Sequence, residues 1–152
     1  MNAKAKILIV DDEEVVRLSF VRSLASTGCE VQAVAGWSEV PQLAQQGPFD
    51  LVLLDLRMPD TDGITVLKAI KQRWPESEVI VITGCGTLET AKQAMVLGAY
   101  DYLLKPVGPE QLIEACNAAL RHKSWALHNE NLAHESNRRE ILLKLRLGCG
   151  ST

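Results

Sequence analysis

Five short apolar runs, at residues 6–10 (KILIV), 30–34 (EVQAV), 51–54 (LVLL), 79–82 (VIVI) and 102–104 (YLL), have the length and composition of strands. Between them apolar residues recur at helical spacing. Val16, Phe20 and Leu24 return every four residues, Ile64, Leu67 and Ile70 every three, and Ala91, Met95 and Ala99 form a third face. Turn-forming residues fall at the breaks: Gly28, Gly47-Pro48, Asp62-Gly63, Trp74-Pro75, Gly98 and Gly108-Pro109. The pattern predicts five β-α units. Strands that are continuously apolar, rather than alternating, need cover on both faces, so the expected architecture is a doubly wound α/β protein built on a parallel five-stranded sheet.

From Pro109, a favoured first helical residue, the helical pattern continues without Gly or Pro from 110 to 147. Leu120, Leu127, His134 and Ile141 share a seven-residue spacing, interrupted by the polar Asn117, Ser124, Asn131 and Arg138. The reading is a domain over 1–121, an extended fifth helix over 122–147 that serves as a dimerising linker, and a frayed tail at 148–152. His122, His128 and His134 are six apart and point different ways round a helix, which argues against a metal site there.

Charge sharpens this division. Residues 1–120 carry 10 Lys and Arg against 16 Asp and Glu, whereas 121–152 carry 6 against 3. A tail of net charge +3 with acids interspersed reads as a solvated helix, so no nucleic-acid contact is expected from this chain. The apolar stretch Ile7 to Val10 is stopped by four acids and is too short for a signal peptide or membrane span, and a cytoplasmic protein is expected. Cys29, Cys85, Cys116 and Cys149 are far apart and read as reduced thiols rather than a disulfide frame or zinc site.

In a doubly wound sheet, ligands gather beyond the carboxyl ends of the strands where strand order reverses. Asp11-Asp12 ends the first strand, Asp55 the third, Thr83-Gly84 the fourth and Lys105-Pro106 the fifth. Taken singly each has a plain explanation: Asp11 to Glu14 favour a helix N-terminus, Thr83 caps the fourth helix, and Lys105 is a solvated loop lysine. Together they make a convergent site. Close carboxylate pairs repel by up to about 4 kcal/mol at an effective dielectric of about 20, a conflict that a divalent cation resolves. Hard oxygen ligands without His or Cys favour Mg2+, which keeps positions for water and phosphate oxygens. Asp55, alone at its strand end, is then the candidate nucleophile toward phosphorus.

The ordered motifs ILIVDDE, DLVLLDLRMPDTDG, VIVITGCG and LGAYDYLLKP, over roughly residues 4 to 121, resemble the receiver domain of two-component response regulators. The resemblance implies a flavodoxin-like (β/α)5 fold and phosphorylation of Asp55 by a histidine kinase or phosphotransfer protein. It implies that Asp12 ligates Mg2+ directly, that Asp11 assists through water, and that the Arg57 backbone carbonyl completes the protein ligands. Thr83 and Lys105 would hold phosphoryl oxygens, and the Lys105-Pro106 bond is expected to be cis. Arg57 and Cys85 would flank the path of hydrolytic water. Phosphorylation would draw the Thr83 hydroxyl inward and turn Tyr102 from exposed to buried, altering the face of helix four, strand five and helix five. Slow autodephosphorylation is the only other chemistry expected.

The wording AYDYLLKP and TGCGTLETA looks like receivers of nitrogen-regulatory-type enhancer-binding activators, which implies a transcriptional output domain outside this chain. A stand-alone or hybrid-kinase receiver and an unphosphorylated pseudo-receiver are the alternatives. A haloacid-dehalogenase-like phosphatase needs Asp-x-Asp, but position 57 is Arg. A flavin protein of this fold needs a phosphate-cradling loop after the first strand, where two acids stand instead.

Overall fold

Leu8, Val10, Val52, Leu54, Val79 and Val81 point into one apolar layer, and Ile7, Ile9, Leu51, Leu53, Ile80 and Ile82 into another. Adjacent residues alternate between the faces of a strand, so two buried faces produce an unbroken apolar run in sequence. The computed structural model describes residues 4–43, 47–59 and 61–126. Its elements are β1 (Lys6–Val10), α1 (Glu14–Ala25), β2 (Glu30–Val34), the 3-10 segment η1 (Trp37–Leu43), β3 (Leu51–Leu54), α2 (Gly63–Arg73), β4 (Glu78–Thr83), α3 (Leu88–Val96), β5 (Asp101–Leu104) and α4 (Pro109–Ala126). All strand pairs are parallel, in the order β2-β1-β3-β4-β5. The expected doubly wound, flavodoxin-like fold is the one observed. Strand order reverses between β1 and β3, and the crevice beyond their carboxyl ends is where such a fold places a ligand.

The second β-α unit departs from the prediction of a regular helix. Pro41 lies inside η1, and Trp37–Leu43 stays 3-10 with Val40 buried. A proline within a helix has no N–H to donate and crowds the preceding turn. The fourth and fifth helices anticipated from sequence are therefore α3 and α4. Within α2 the buried set is Val66, Leu67 and Ile70, with Ile64 only partly covered. Ala91 and Met95 are buried in α3, whereas Ala99 is buried in the turn after it.

Helices α1 and α4 cover one face through Phe20, Leu24, Leu112, Ala115, Cys116 and Ala119, while α2 and α3 cover the other. Burial pushes the Cys116 thiol up to about 12, with nearby Cys29 adding to the shift, so Cys116 stays a thiol at neutral pH. Beneath the sheet, at the amino ends of the strands, buried Glu78 pairs with His122 Nδ1, whose ring lies 5.0 Å from that of Tyr100. Lys123 Nζ meets Asp50 Oδ1 at 2.5 Å, and the Lys6 N–H donates to Asp50 Oδ2 at 2.8 Å. The His122 contact offsets the cost of burying the Glu78 carboxylate, and both pairs bind α4 to the body beyond residue 121. α4 starts at Pro109, as anticipated, and is continuous to Ala126. The heptad positions Leu127, His134 and Ile141, the residues His128 and Cys149, and the 148–152 tail lie outside the described residues. Among those described, no helix is long and apolar enough to cross a membrane.

Candidate functional site

Backbone bonds one step past each strand fix the site. The Asp11 N–H donates to Val34 O at 3.1 Å, the Asp55 N–H to Val10 O at 3.0 Å, and the Lys105 N–H to Thr83 O at 2.9 Å. Asp11, Asp55 and Thr83 are buried, and Asp12 is exposed. The ladder is prolonged just far enough to lift three acids and a lysine onto the rim.

There Lys105 Nζ lies 2.8 Å from Asp11 Oδ2, 2.9 Å from Asp55 Oδ2 and 2.7 Å from Glu13 Oε1. An ammonium has three protons, so its donors are fully engaged by these three carboxylates. Burial alone would lower the Lys105 pKa, but the hydrogen bonds to Asp11, Glu13 and Asp55 overcome it and hold the amine above its ordinary value. The Lys105-Pro106 bond is cis. Asp55 is held from its other side by the Arg57 backbone N–H, 3.0 Å from Oδ1. Asp11 Oδ1 accepts the Glu13 N–H at 2.9 Å, and Arg17 Nη1 reaches the Asp11 carbonyl at 2.7 Å.

Asp11, Asp12 and Asp55 each offer a carboxylate oxygen, all within 4.8 Å of one another. Three hard oxygens at that separation fit a Mg2+ ion. The open side is a cleft of about 580 Å³ lined by Asp12, Glu13, Asp55, Arg57, Met58, Pro59, Gly84 and Cys85. Across its mouth Arg57 Nη1 approaches Cys85 Sγ at 2.6 Å. Thr83 Oγ1 accepts the Cys85 N–H at 3.4 Å, a long bond that leaves the hydroxyl proton to another acceptor.

Burial raises the Asp11 pKa above 3.8, against the lowering effects of Lys105 and the Glu13 N–H. The native state therefore holds the proton more tightly than the unfolded chain, and the stability contributed by Asp11 falls as pH rises through that window. Asp11→Asn is expected to flatten the decline in metal-free urea midpoint that begins as pH rises above about 4. Parallel wild-type and variant curves would contradict this.

Several residues stand differently from what their local sequence suggests. Glu13, read only as favourable to the helix N-terminus, is the N-cap residue of α1 and directs its carboxylate to Lys105. Thr83 does not cap the next helix; Thr87 does, accepting the Thr90 N–H at 3.1 Å. Tyr102, expected from the resemblance to turn between exposed and buried positions, stands buried here, with its hydroxyl 2.8 Å from Thr90 Oγ1. The DDEE run pointed toward Glu13, but nothing local in sequence marks the Thr90 contact.

Fold and site together define a doubly wound α/β module with an acidic, cation-binding type of crevice joined to a lysine. The chain belongs to the response regulator receiver domain family, whose model matches residues 7–117. It is 39% identical over 119 residues to the response regulator protein PilR of Pseudomonas aeruginosa, covering 78% of this chain and 27% of that protein. It is 33% identical over 135 residues to the alginate biosynthesis transcriptional regulatory protein AlgB of the same species, covering 89% and 30%. Among solved structures, NtrX from Brucella abortus superposes with TM-score 0.78 at 31% identity, covering 86% of this chain and 30% of that one. A CheY-like receiver domain protein from Methanospirillum hungatei gives 0.76 at 30%, covering 80% and 98%. The chain thus spans under a third of the length of these curated relatives. Its family is that of phosphorylation-based two-component signalling.

Proposed function

We propose that Asp55 accepts a phosphoryl group from the phosphohistidine of a histidine kinase or phosphotransfer protein. The observation that carries this is the contact of Lys105 Nζ with Asp55 Oδ2 at 2.9 Å beside the Asp11 and Asp12 carboxylates. An Asp55 oxygen forms the new bond to phosphorus, the P–N bond breaks, and the imidazole departs as a neutral ring after taking up a proton. Asp12 and Asp55, with Asp11 acting through water and the Arg57 carbonyl, would hold Mg2+. That ion supplies charge neutralisation on the transferred oxygens. Lys105 redirects one of its three donors to a phosphoryl oxygen, and the Thr83 hydroxyl donates to another. Water later hydrolyses the acyl phosphate slowly, past Arg57 and Cys85; no external substrate is turned over.

The consequence is a change of the face formed by α3, β5 and α4, centred on Thr83 and Tyr102. The name of one longer relative, the transcriptional regulatory protein AlgB, favours a transcriptional output joined through the helix after residue 121, with the α3 and α4 face and the tail pairing two copies in the cytoplasm. The test is intact mass after incubation with Mg2+ and a small-molecule phosphodonor. One acid-stable, base-labile adduct, abolished by chelation and by Asp55→Asn, is expected. Its absence from folded protein, with candidate kinases also added, would leave an acidic binding module instead.

A further inference from the structure

The loop from Gly84 to Thr87 touches two places at once. At one end Gly84 and Cys85 line the acidic cleft. At the other, Gly86 lies against Tyr102: a Cβ built on Gly86 would stand 2.7 Å from the Tyr102 hydroxyl and 2.6 Å from Leu104 Cδ2. The Gly86 φ is not positive, so it is space, not backbone conformation, that excludes a side chain here. With Tyr102 in its buried position there is no room for a Cβ at 86 unless the Tyr102 ring or the Leu104 side chain moves.

Thr90 completes the enclosure. Its Oγ1 lies 3.0 Å from the Thr87 N–H, 3.0 Å from the Thr87 carbonyl and 2.8 Å from the Tyr102 hydroxyl. A threonine hydroxyl has one proton and two acceptor positions. One assignment couples Thr90 to both elements: Oγ1 accepts from the Thr87 N–H and from the Tyr102 O–H, and donates to the Thr87 carbonyl rather than to the Thr87 hydroxyl 3.1 Å away. One hydroxyl thus belongs both to the capping box of α3 and to the tyrosine of β5.

Resting on the receiver reading above, we propose that Thr90 and Gly86 are the positioning residues that latch Tyr102 inward. The Thr90 hydroxyl holds the ring and the bare Gly86 leaves the volume for it, so these two positions set the inward fraction of the switch. The loop between them and Thr83 is short enough that a displacement of the Thr83 hydroxyl reaches both.

Fluorine NMR of protein carrying 3-fluorotyrosine tests this, because the chain has two tyrosines and Tyr100→Phe identifies the Tyr102 signal. Exposure of Tyr102 is read from broadening by a soluble paramagnetic reagent. Thr90→Val is expected to raise the exposed-to-buried ratio by about twofold to tenfold, the range for one net intramolecular hydrogen bond. Thr90→Ser, which retains the hydroxyl, restores the wild-type ratio. Gly86→Ala drives Tyr102 outward, since the atoms it meets are side-chain ends that swing more easily than backbone moves. Thr87→Ala weakens the helix cap yet leaves Tyr102 buried. If Tyr102 is equally exposed in Thr87→Ala and Thr90→Val, helix fraying explains the effect and the latch is overturned. It is also overturned if neither Thr90→Val nor Gly86→Ala changes the signal in protein with native circular dichroism. The Asp55 adduct, measured on the same samples, separates the two ideas. An adduct with an indifferent Tyr102 removes the latch alone, and a responsive Tyr102 without an adduct removes only the receiver chemistry.

Discussion

Lys105→Ala is expected to slow phosphoryl acceptance by about a hundredfold or more and to destabilise metal-free protein by about 3 kcal/mol at neutral pH. The first effect follows from removing a preorganised cation at the point where charge develops on the transferred oxygens. The second arises because Asp11 and Asp55, both buried, lose the ammonium that lies within 3 Å of each. The exposed Glu13 contributes little to that sum. Because the folded pKa of Lys105 lies above its ordinary 10.5, its stabilisation is fully present below that pH and is lost as pH rises through the folded value. Added Mg2+ should restore part of the lost stability, and should bind the variant more tightly, since Lys105 no longer competes for Asp11 and Asp55. Urea midpoints with and without Mg2+, together with a time course of the intact-mass adduct, check all of this. A variant as stable as wild type without metal would mean that the three carboxylates do not depend on the lysine.

Gly63→Ala is expected to cost about 3 kcal/mol or more and to reduce phosphorylation with it. An added Cβ would overlap the Leu56 Cα, carbonyl carbon and oxygen, and backbone atoms of that kind do not yield as a side-chain tip does. The segment from Asp55 to Gly63 folds back so that the Gly63 N–H donates to Leu56 O at 3.2 Å, Arg57 bridges Asp62, and the Asp62 side chain caps α2 through the Ile64 N–H at 3.2 Å. Opening this loop moves the Arg57 N–H that holds Asp55 Oδ1. A urea midpoint that coincides with wild type would show that the loop relaxes without cost.

The parts of the site that were legible in the sequence are those that depend on strand ends. Asp11, Asp12, Asp55, Thr83 and Lys105 follow directly after apolar runs, and a parallel sheet brings the carboxyl ends of its strands to one rim by construction. Arg17, Gly86 and Thr90 were not legible, nor was the pairing of Glu13 with Lys105, because these contacts depend on how α1 and α3 pack. Thr90 reads in sequence as one more polar residue on a helix, and only the packing of α3 against β5 carries its hydroxyl to Tyr102. The replacement of a regular second helix by η1 was marked in principle by Pro41, yet a single proline does not by itself distinguish an ended helix from a 3-10 turn.

The sequence by itself determined the number of strands and their succession along the chain, the two-sided burial of the sheet and the rim on which the acids stand, since these follow from periodicity and from the geometry of a parallel sheet, whereas the order β2-β1-β3-β4-β5 came from the tertiary structure. Tertiary structure decided which carboxylates share the three protons of Lys105, that Glu78 and Asp50 bind α4 beneath the sheet, and that Tyr102 rests inward against Thr90 and Gly86. Those outcomes depend on distances of a few ångströms between residues far apart in the chain. Local pattern determines which face a residue occupies, and packing alone determines which atom it meets.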